Sequence, residues 1–286
     1  MSTVNSEQHR FLQICVGLGC LGTLPFLIHP LGLERPDAWM FSILNYVLPS
    51  LLLIRFQPKP EWNWSGQFWK RLAITGLTCE LIVIGLLVLS TQIGHLPVDW
   101  SFAGFKGWVE IQIGQQIDRT QAPMPGLPTD VQKLSAMLFW VSFGVPWLFW
   151  WGALPQEAVW RGWVADAKSN YKDWYVLSTY WTCWQLPNWL LLQQWHWGWW
   201  QNNGILFLQQ LISTWLLGVL LVAIKQRTQS TIISAIIVSI LTISQVWPIM
   251  LQDFSPAPNW LWIGWNGWIG CLVMIGIIQW CKKTSI

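Results

Sequence analysis

Long runs of apolar residues, separated by short polar stretches, dominate this chain. A helix needs about 20 mainly apolar residues to cross a bilayer, and fewer where neighbouring helices shield it. Eight runs meet this requirement: 11–29, 39–54, 71–93, 134–153, 174–192, 204–224, 231–251 and 259–280. Because backbone polar groups cannot be left bare in hydrocarbon, the pattern predicts an all-α fold, a polytopic membrane bundle of about eight transmembrane helices.

The segments between these runs predict three parts. N-terminal helices and a long outer loop occupy 1–130, a core occupies 131–252, and a last helix occupies 253–286. The loop ends in a proline-rich linker, QAPMPGLPTD, and its first half could lie along the membrane surface. Residues 156–164 are predicted to form a helix that joins the fourth and fifth spans at the membrane border. The polar N-terminus leads directly into an apolar run without a small-residue cleavage site, which predicts a retained first span.

The basic residues predict the orientation of the bundle. With eight alternating spans, twelve of the 16 basic residues share one side, as cytoplasmic loops do. They are Arg10, Arg55, Lys59, Lys70, Arg71, Arg161, Lys168, Lys172, Lys225, Arg227, Lys282 and Lys283. We therefore expect both termini in the cytoplasm, while the pattern does not distinguish a plasma membrane from a thylakoid.

The composition supports a membrane protein and argues against a nucleic-acid partner. Hydrophobic residues make up 53% of the chain and charged residues only 10%, against roughly 25% charged residues in soluble domains. No basic patch is interleaved with base-stacking aromatics. The six cysteines show no metal-binding or disulfide spacing and are interpreted as small core hydrophobes.

Tryptophan occurs 27 times, and several clusters lie where predicted spans end, as in WHWGWW at 195–200. There an indole N–H can stay hydrated while the ring packs against lipid, so an interfacial belt is the expected role. The alternative is a surface for a flat ligand such as a pigment, quinone or prenyl chain, with His196 as an axial ligand.

The stretch QEAVWRG at 156–162 carries a carboxylate and a guanidinium four residues apart, on one face of a helix. It resembles the first signature of the CPBP family of intramembrane endopeptidases (CAAX-processing and bacteriocin-processing proteases, also called the ABI family). That signature has two glutamates, three residues and an arginine, usually with an aromatic residue just before the arginine. Glu157, Trp160 and Arg161 match it, and Gln156 replaces the first glutamate. The resemblance implies an eight-helix bundle with the acidic motif at the start of a core helix.

The two later motifs of the family are present in position but altered in chemistry. In the second, Trp181 stands for the aromatic residue and Gln185 for the histidine. In the third, Ser239 stands for a histidine and Ile243 for an asparagine, or Val238 and Thr242 after a slip of one residue.

In the family the first glutamate is thought to activate water, and the histidines and asparagine to bind a metal or hold the oxyanion. A carboxamide cannot accept a proton near neutral pH, and neither glutamine nor serine replaces an imidazole ligand. The equivalent positions Gln156, Glu157, Arg161, Gln185 and Ser239 are therefore expected to form an inactive site without metal or cofactor.

The residues leave three functions open. One is a catalytically degenerate membrane adaptor whose polar cluster binds a membrane protein, a prenylated peptide or lipid. Another is an active endopeptidase that uses Glu157 as its base, and the last is a pigment- or lipid-binding protein. Glu80, in the third span, could stay protonated, pair with Lys70 or Arg71, or line the same cavity as Glu157.

Overall fold

A computed structural model describes residue 13 and residues 65–93, 100–102, 131–164, 171–192, 197–244, 247, 251 and 267–283. Over these residues the regular structure is entirely helical, which confirms the all-α prediction. The α-helices are α1 (Gly66–Ile93), α2 (Val131–Phe149), α3 (Leu154–Glu157), α4 (Tyr171–Leu192), α5 (Trp197–Thr228), α6 (Thr231–Ser244) and α7 (Trp268–Lys283). A 3₁₀ turn, Trp150–Gly152, precedes α3, and a π-helix, Ala158–Val164, follows it.

Six of the eight predicted spans correspond to helices of similar position. The observed boundaries differ by a few residues at most ends, and α5 is longer than its predicted span at both ends. The predicted spans at 11–29 and 39–54 lie outside the described residues, except for residue 13, which is helical. Most of the predicted outer loop, and all four histidines (9, 29, 95 and 196), also lie outside them.

Among the described residues, two segments are long and apolar enough to cross a membrane, Gly66–Leu89 in α1 and Gly204–Thr228 in α5. At 24 and 25 residues, each is about 36 Å long or more, compared with about 30 Å for the hydrocarbon core. The outward face of α1 is apolar, with Ile74, Leu77 and Leu81 more than half exposed. Helix α6, at 14 residues, is apolar and buried on nearly all sides.

The described residues divide between two compact units. The first contains those within Met1–Arg71, Trp151–Ala235 and Cys271–Ile286. In it, α4 packs along α5, and the π-helix contacts both helices. A Cβ on Gly218 would lie 3.0 Å from Ser178 Cβ and 3.1 Å from Trp181 Cε3, so the absence of a side chain lets α5 approach α4 closely.

The second unit contains the residues within Leu72–Trp150 and Ile236–Gly270. Its core is aromatic: the rings of Phe139 and Phe143 both pack against Trp247, with centroids 5.9 and 4.5 Å away. The Trp247 indole N–H donates to Ser142 Oγ at 2.7 Å, and that hydroxyl donates to the Phe139 carbonyl. The polar edge of the buried indole is thereby satisfied, as buried tryptophans require.

The turn between α5 and α6 is closed by Gln229, which has a positive φ of 54°. Its backbone N–H donates to the Lys225 carbonyl at 2.8 Å, the single bond of an αL helix cap. Ser230 then caps α6, because its hydroxyl accepts from the Ile233 N–H at 3.4 Å. The turn places the basic end of α5 immediately before α6.

Candidate functional site

The first motif lies where a short α-helix changes into a π-helix. Pro155 occupies the first turn of α3, where its missing N–H has no intrahelical partner to lose. The Ala158 N–H is shared between the carbonyls of Leu154 and Pro155, and the π-helix begins at that residue. The predicted connecting helix is therefore present, but most of it has the wider i→i+5 pattern. Such segments are rare and occur frequently at functional sites.

Glu157 and Arg161 form a buried ion pair within this segment. Arg161 Nη1 donates to Glu157 Oε1 at 2.9 Å, and each residue is only 1% exposed. A charge-assisted hydrogen bond of this length is stronger than a neutral one. The predicted pairing of the two charges is thus present in the structure.

The side chain of Trp181, on α4, covers the guanidinium. Arg161 Cζ lies 4.4 Å from the centroid of the indole, and Trp181 is buried. A cation–π contact of this kind is worth about 2 kcal/mol or more when desolvated. The aromatic position of the second motif therefore contacts the arginine of the first.

Gln156 and Gln185 make the second link between the two motifs. Gln185 Nε2 donates to Gln156 Oε1 at 3.4 Å, and both side chains are buried. Gln185 follows Trp181 by four residues, so both project from one face of α4. We call Gln156, Glu157, Arg161, Trp181 and Gln185 the polar cluster.

Three atoms of the polar cluster have unused hydrogen-bonding capacity, and one of them is the indole Nε1 of Trp181. Glu157 Oε2 and Arg161 Nη2 are buried and have no hydrogen-bond partner among the described residues. Most buried polar atoms in proteins are paired, with protein or with water. The cluster therefore contains an unpaired acceptor, Glu157 Oε2, and an unpaired guanidinium donor, Arg161 Nη2.

The electrostatics of the pair are set by its burial. Loss of solvation raises the pKa of the Glu157 carboxyl above its ordinary value of 4.5, and the adjacent guanidinium opposes that shift. Burial lowers the pKa of Arg161, and the carboxylate opposes that change. Burial thus favours the neutral form of each group, and the ion pair offsets part of that effect.

The third motif falls in the second unit. Ser239, on α6, is buried there, while Ile243 is partly exposed. In the alternative register, Val238 is partly exposed and Thr242 is exposed. The structure thus brings together Gln156, Glu157, Arg161 and Gln185 within the first unit, and it describes Ser239 within the second.

Glu80 occupies a different buried site, in the second unit, and its partner is a residue that the sequence did not indicate. Trp147 Nε1 donates to Glu80 Oε1 at 2.7 Å, whereas the sequence left open that Glu80 stays protonated, pairs with Lys70 or Arg71, or shares a cavity with Glu157. A Cβ on Gly76 would lie 2.6 Å from Trp147 Cζ2, so the indole rests directly on that glycine. The sequence signal for a close contact here is Gly76, which lies four residues before Glu80 on the same helical face.

Gly218 is the other residue that sequence reasoning missed. It admits the ring of Trp181 between α4 and α5, and that ring covers Arg161. A lone glycine inside a leucine-rich helix is a signal for close helix approach, but it does not identify the partner helix.

The described residues of the first unit provide few side chains that could ligate a metal ion. Within the ranges that the structure describes, no three His, Cys, Asp or Glu side chains are grouped so that they could hold one. The four cysteines described there are free thiols, two of them buried. Comparison of the chain with protein-family models, with curated proteins and with solved structures gave no match.

Proposed function

We propose that this chain is a multi-span membrane protein of the CPBP type whose catalytic site has been dismantled, and that it acts as a non-catalytic adaptor. In this proposal the polar cluster binds a transmembrane partner, a prenylated peptide or a lipid without cutting it. The protein has about eight spans and both termini in the cytoplasm.

The observation that carries the proposal is the contact between Gln156 and Gln185. In the resemblance these positions belong to the general base and to a histidine, and the two carboxamides lie 3.4 Å apart. They come from different helices, 29 residues apart in the chain. If the match to the first motif were due to chance, there would be no reason for Gln185, four residues after Trp181, to contact Gln156.

The same contact supports the absence of catalysis. Gln156 cannot remove a proton from water, and loss of a positioned general base typically lowers the rate by 10²–10⁴-fold. Glu157, the remaining carboxylate, has one oxygen bonded to Arg161, and that contact opposes the rise in its pKa that burial causes.

A binding role is supported by the unused atoms of the cluster. Glu157 Oε2 can accept a hydrogen bond and Arg161 Nη2 can donate one. A ligand that offers both a donor and an acceptor, as a backbone amide does, would satisfy the two atoms together.

The test is to rebuild the site. Gln156→Glu, Gln185→His and Ser239→His are introduced together, and the purified protein is assayed for bound metal and for cleavage of a farnesylated or membrane-embedded peptide. We expect no turnover by the native chain, and metal binding with turnover by the triple variant. Cleavage by the native chain that disappears in Glu157→Gln would overturn the proposal in favour of an active endopeptidase.

The binding role is tested on the native site. A partner recovered from membranes with the native chain should be lost in Glu157→Gln/Arg161→Gln, which removes both charges. Glu80→Gln is the matched control, since it neutralises a buried carboxylate in the other unit. Equal loss of the partner in both variants would argue against a role of the polar cluster.

A further inference from the structure

Basic and aromatic residues meet at one end of the first unit, and none of them belongs to the polar cluster. The last turn of α5 carries Arg227, and the last turn of α7 carries Lys282 and Lys283. Tyr175 lies in the first two turns of α4, and Trp280 lies one turn from the end of α7. We call these five residues the basic–aromatic cluster.

Side-chain contacts tie the three helix ends together. The Arg227 guanidinium lies 4.1 Å from the centroid of the Trp280 ring. Lys282 Nζ donates to the Tyr175 hydroxyl and lies 4.7 Å from the centroid of that ring. The ends of α5 and α7 and the start of α4 therefore lie at the same end of the unit.

The cluster carries cations whose charge is available to solvent. Lys283 is exposed, Arg227 and Lys282 are partly exposed, and Trp280 is 58% exposed. Arg227 lies over the face of Trp280, and its guanidinium also interacts with the Cys281 side chain. Among the described residues of α4, α5 and α7, Asp173 is the one carboxylate, and the three cations of the cluster outnumber it.

Helix ends of this composition match the surface of an anionic membrane. Lys and Arg next to a spanning helix are attracted to the negative headgroups of the cytoplasmic leaflet, by about 1 kcal/mol each, or about fivefold in binding. Tryptophan prefers the same depth, because its ring packs on acyl chains while its N–H stays hydrated. Arg227 lies over the ring of Trp280, so the cation and the aromatic ring are found at one point of the surface.

We propose that the basic–aromatic cluster is a binding surface for the headgroups of anionic phospholipids. The inference rests on the proposed membrane insertion of the chain, but it does not depend on the polar cluster or on the CPBP resemblance. It places the ends of α5 and α7 at the headgroup layer of the negatively charged leaflet.

The test uses the full chain in bilayers of phosphatidylcholine that contain a small fraction of spin-labelled lipid. Electron paramagnetic resonance then gives the fraction of motionally restricted probe, for phosphatidylglycerol and for phosphatidylcholine. We expect a preference for phosphatidylglycerol that falls by about fivefold or more in Arg227→Gln/Lys283→Gln. Salt should weaken that preference, because the sites are partly exposed.

Two controls separate a specific surface from general attraction. Arg227→Lys/Lys283→Arg keeps both charges and should keep the preference. Lys133→Gln removes an exposed cation at the start of α2 and should leave it unchanged. Equal loss in Lys133→Gln, or a neutral double variant with undiminished preference, would overturn the inference.

The remaining outcomes are also distinguishable. Displacement of phosphatidylglycerol by millimolar inorganic phosphate would show an ordinary phosphate site rather than a lipid surface, and would overturn the inference. Failure of the native chain to enter the bilayer at all would refute membrane insertion, and with it the proposed function. Insertion without a lipid preference would refute only the present inference.

Discussion

A buried charge is tolerated in a folded protein only where other groups replace the water that it has lost. Arg161 has three such groups: the carboxylate of Glu157, the face of Trp181 and the dipoles of the surrounding helix. Removing one partner of a buried ion pair generally lowers stability by about 3–5 kcal/mol, because an uncompensated charge stays behind. At the residue scale, the stability of each buried charge therefore depends on the presence of the other.

The first prediction concerns this mutual dependence. Arg161→Gln should lower the free energy of unfolding by about 3–5 kcal/mol, whereas Glu157→Gln/Arg161→Gln should lower it much less, since no bare charge remains. Unfolding by denaturant in detergent micelles measures both. Losses that simply add in the double variant would show that the two groups act independently.

The second prediction concerns the pH dependence of Arg161→Gln. Without the guanidinium, only burial acts on Glu157, so its pKa in the folded state rises further above 4.5. The folded state then binds the proton more tightly than the unfolded state does. Stability should be greatest below about pH 4.5 and should fall as the pH rises from there through the raised folded pKa.

The measurement is the denaturation midpoint of Arg161→Gln between pH 4 and pH 8. Glu157→Gln/Arg161→Gln is the matched control, because it has the same arginine change but no carboxyl to titrate. A midpoint of Arg161→Gln that increases with pH relative to this control would contradict the assigned environment of Glu157.

At the element scale, the site depends on how closely α4 and α5 approach. Gly218 lies against Ser178 and Trp181, and Trp181 covers Arg161. The geometry of the buried pair is therefore determined in part by a glycine on a helix that supplies no polar group to it.

The third prediction tests that dependence. Gly218→Ala places a methyl group 3.0–3.1 Å from three atoms of α4, and overpacking of this kind costs about 1–3 kcal/mol. Gly204→Ala, on the same helix, meets nothing within 4 Å and should stabilise the helix by about 0.5–1 kcal/mol. Thermal unfolding of the two variants measures the contrast, and equal effects would argue against the close approach of α4 and α5.

Several elements could be predicted from the sequence because long apolar runs leave little choice but a helix. The structure has helices at six of the predicted apolar runs, to within a few residues at most of their ends, and the motif positions predicted that Gln156 and Gln185 belong to one site. The π-helix was not predictable, since its i→i+5 pattern depends on packing against α4 and α5. Nor was the bond from Trp147 to Glu80, which joins helices 67 residues apart in the chain.

For the whole molecule, the contacts at the basic–aromatic cluster restrict the topology. Arg227 touches Trp280, so the end of α5 and the end of α7 lie together. The positive-inside distribution predicts that Arg227, Lys282 and Lys283 lie on one side of a membrane.

The fourth prediction is that the two ends are labelled from the same side. In a chain whose native cysteines are replaced, Gln229→Cys and Lys283→Cys should react with a membrane-impermeant maleimide only from the cytoplasmic face of sealed vesicles. Lys133→Cys, at the start of α2, should react only from the opposite face. Labelling of positions 229 and 283 from different faces would contradict the bundle.

The π-helix has a consequence for how much change in length this segment tolerates. An α-helix turns by about 100° per residue, so a deletion that restored the ordinary ladder between Ala158 and Val164 would rotate everything after it relative to α3. The residues after the deletion would then face other parts of α4 and α5, although no side chain in the polar cluster had been altered. In this part of the molecule, the number of residues is therefore as strict a requirement as their identity.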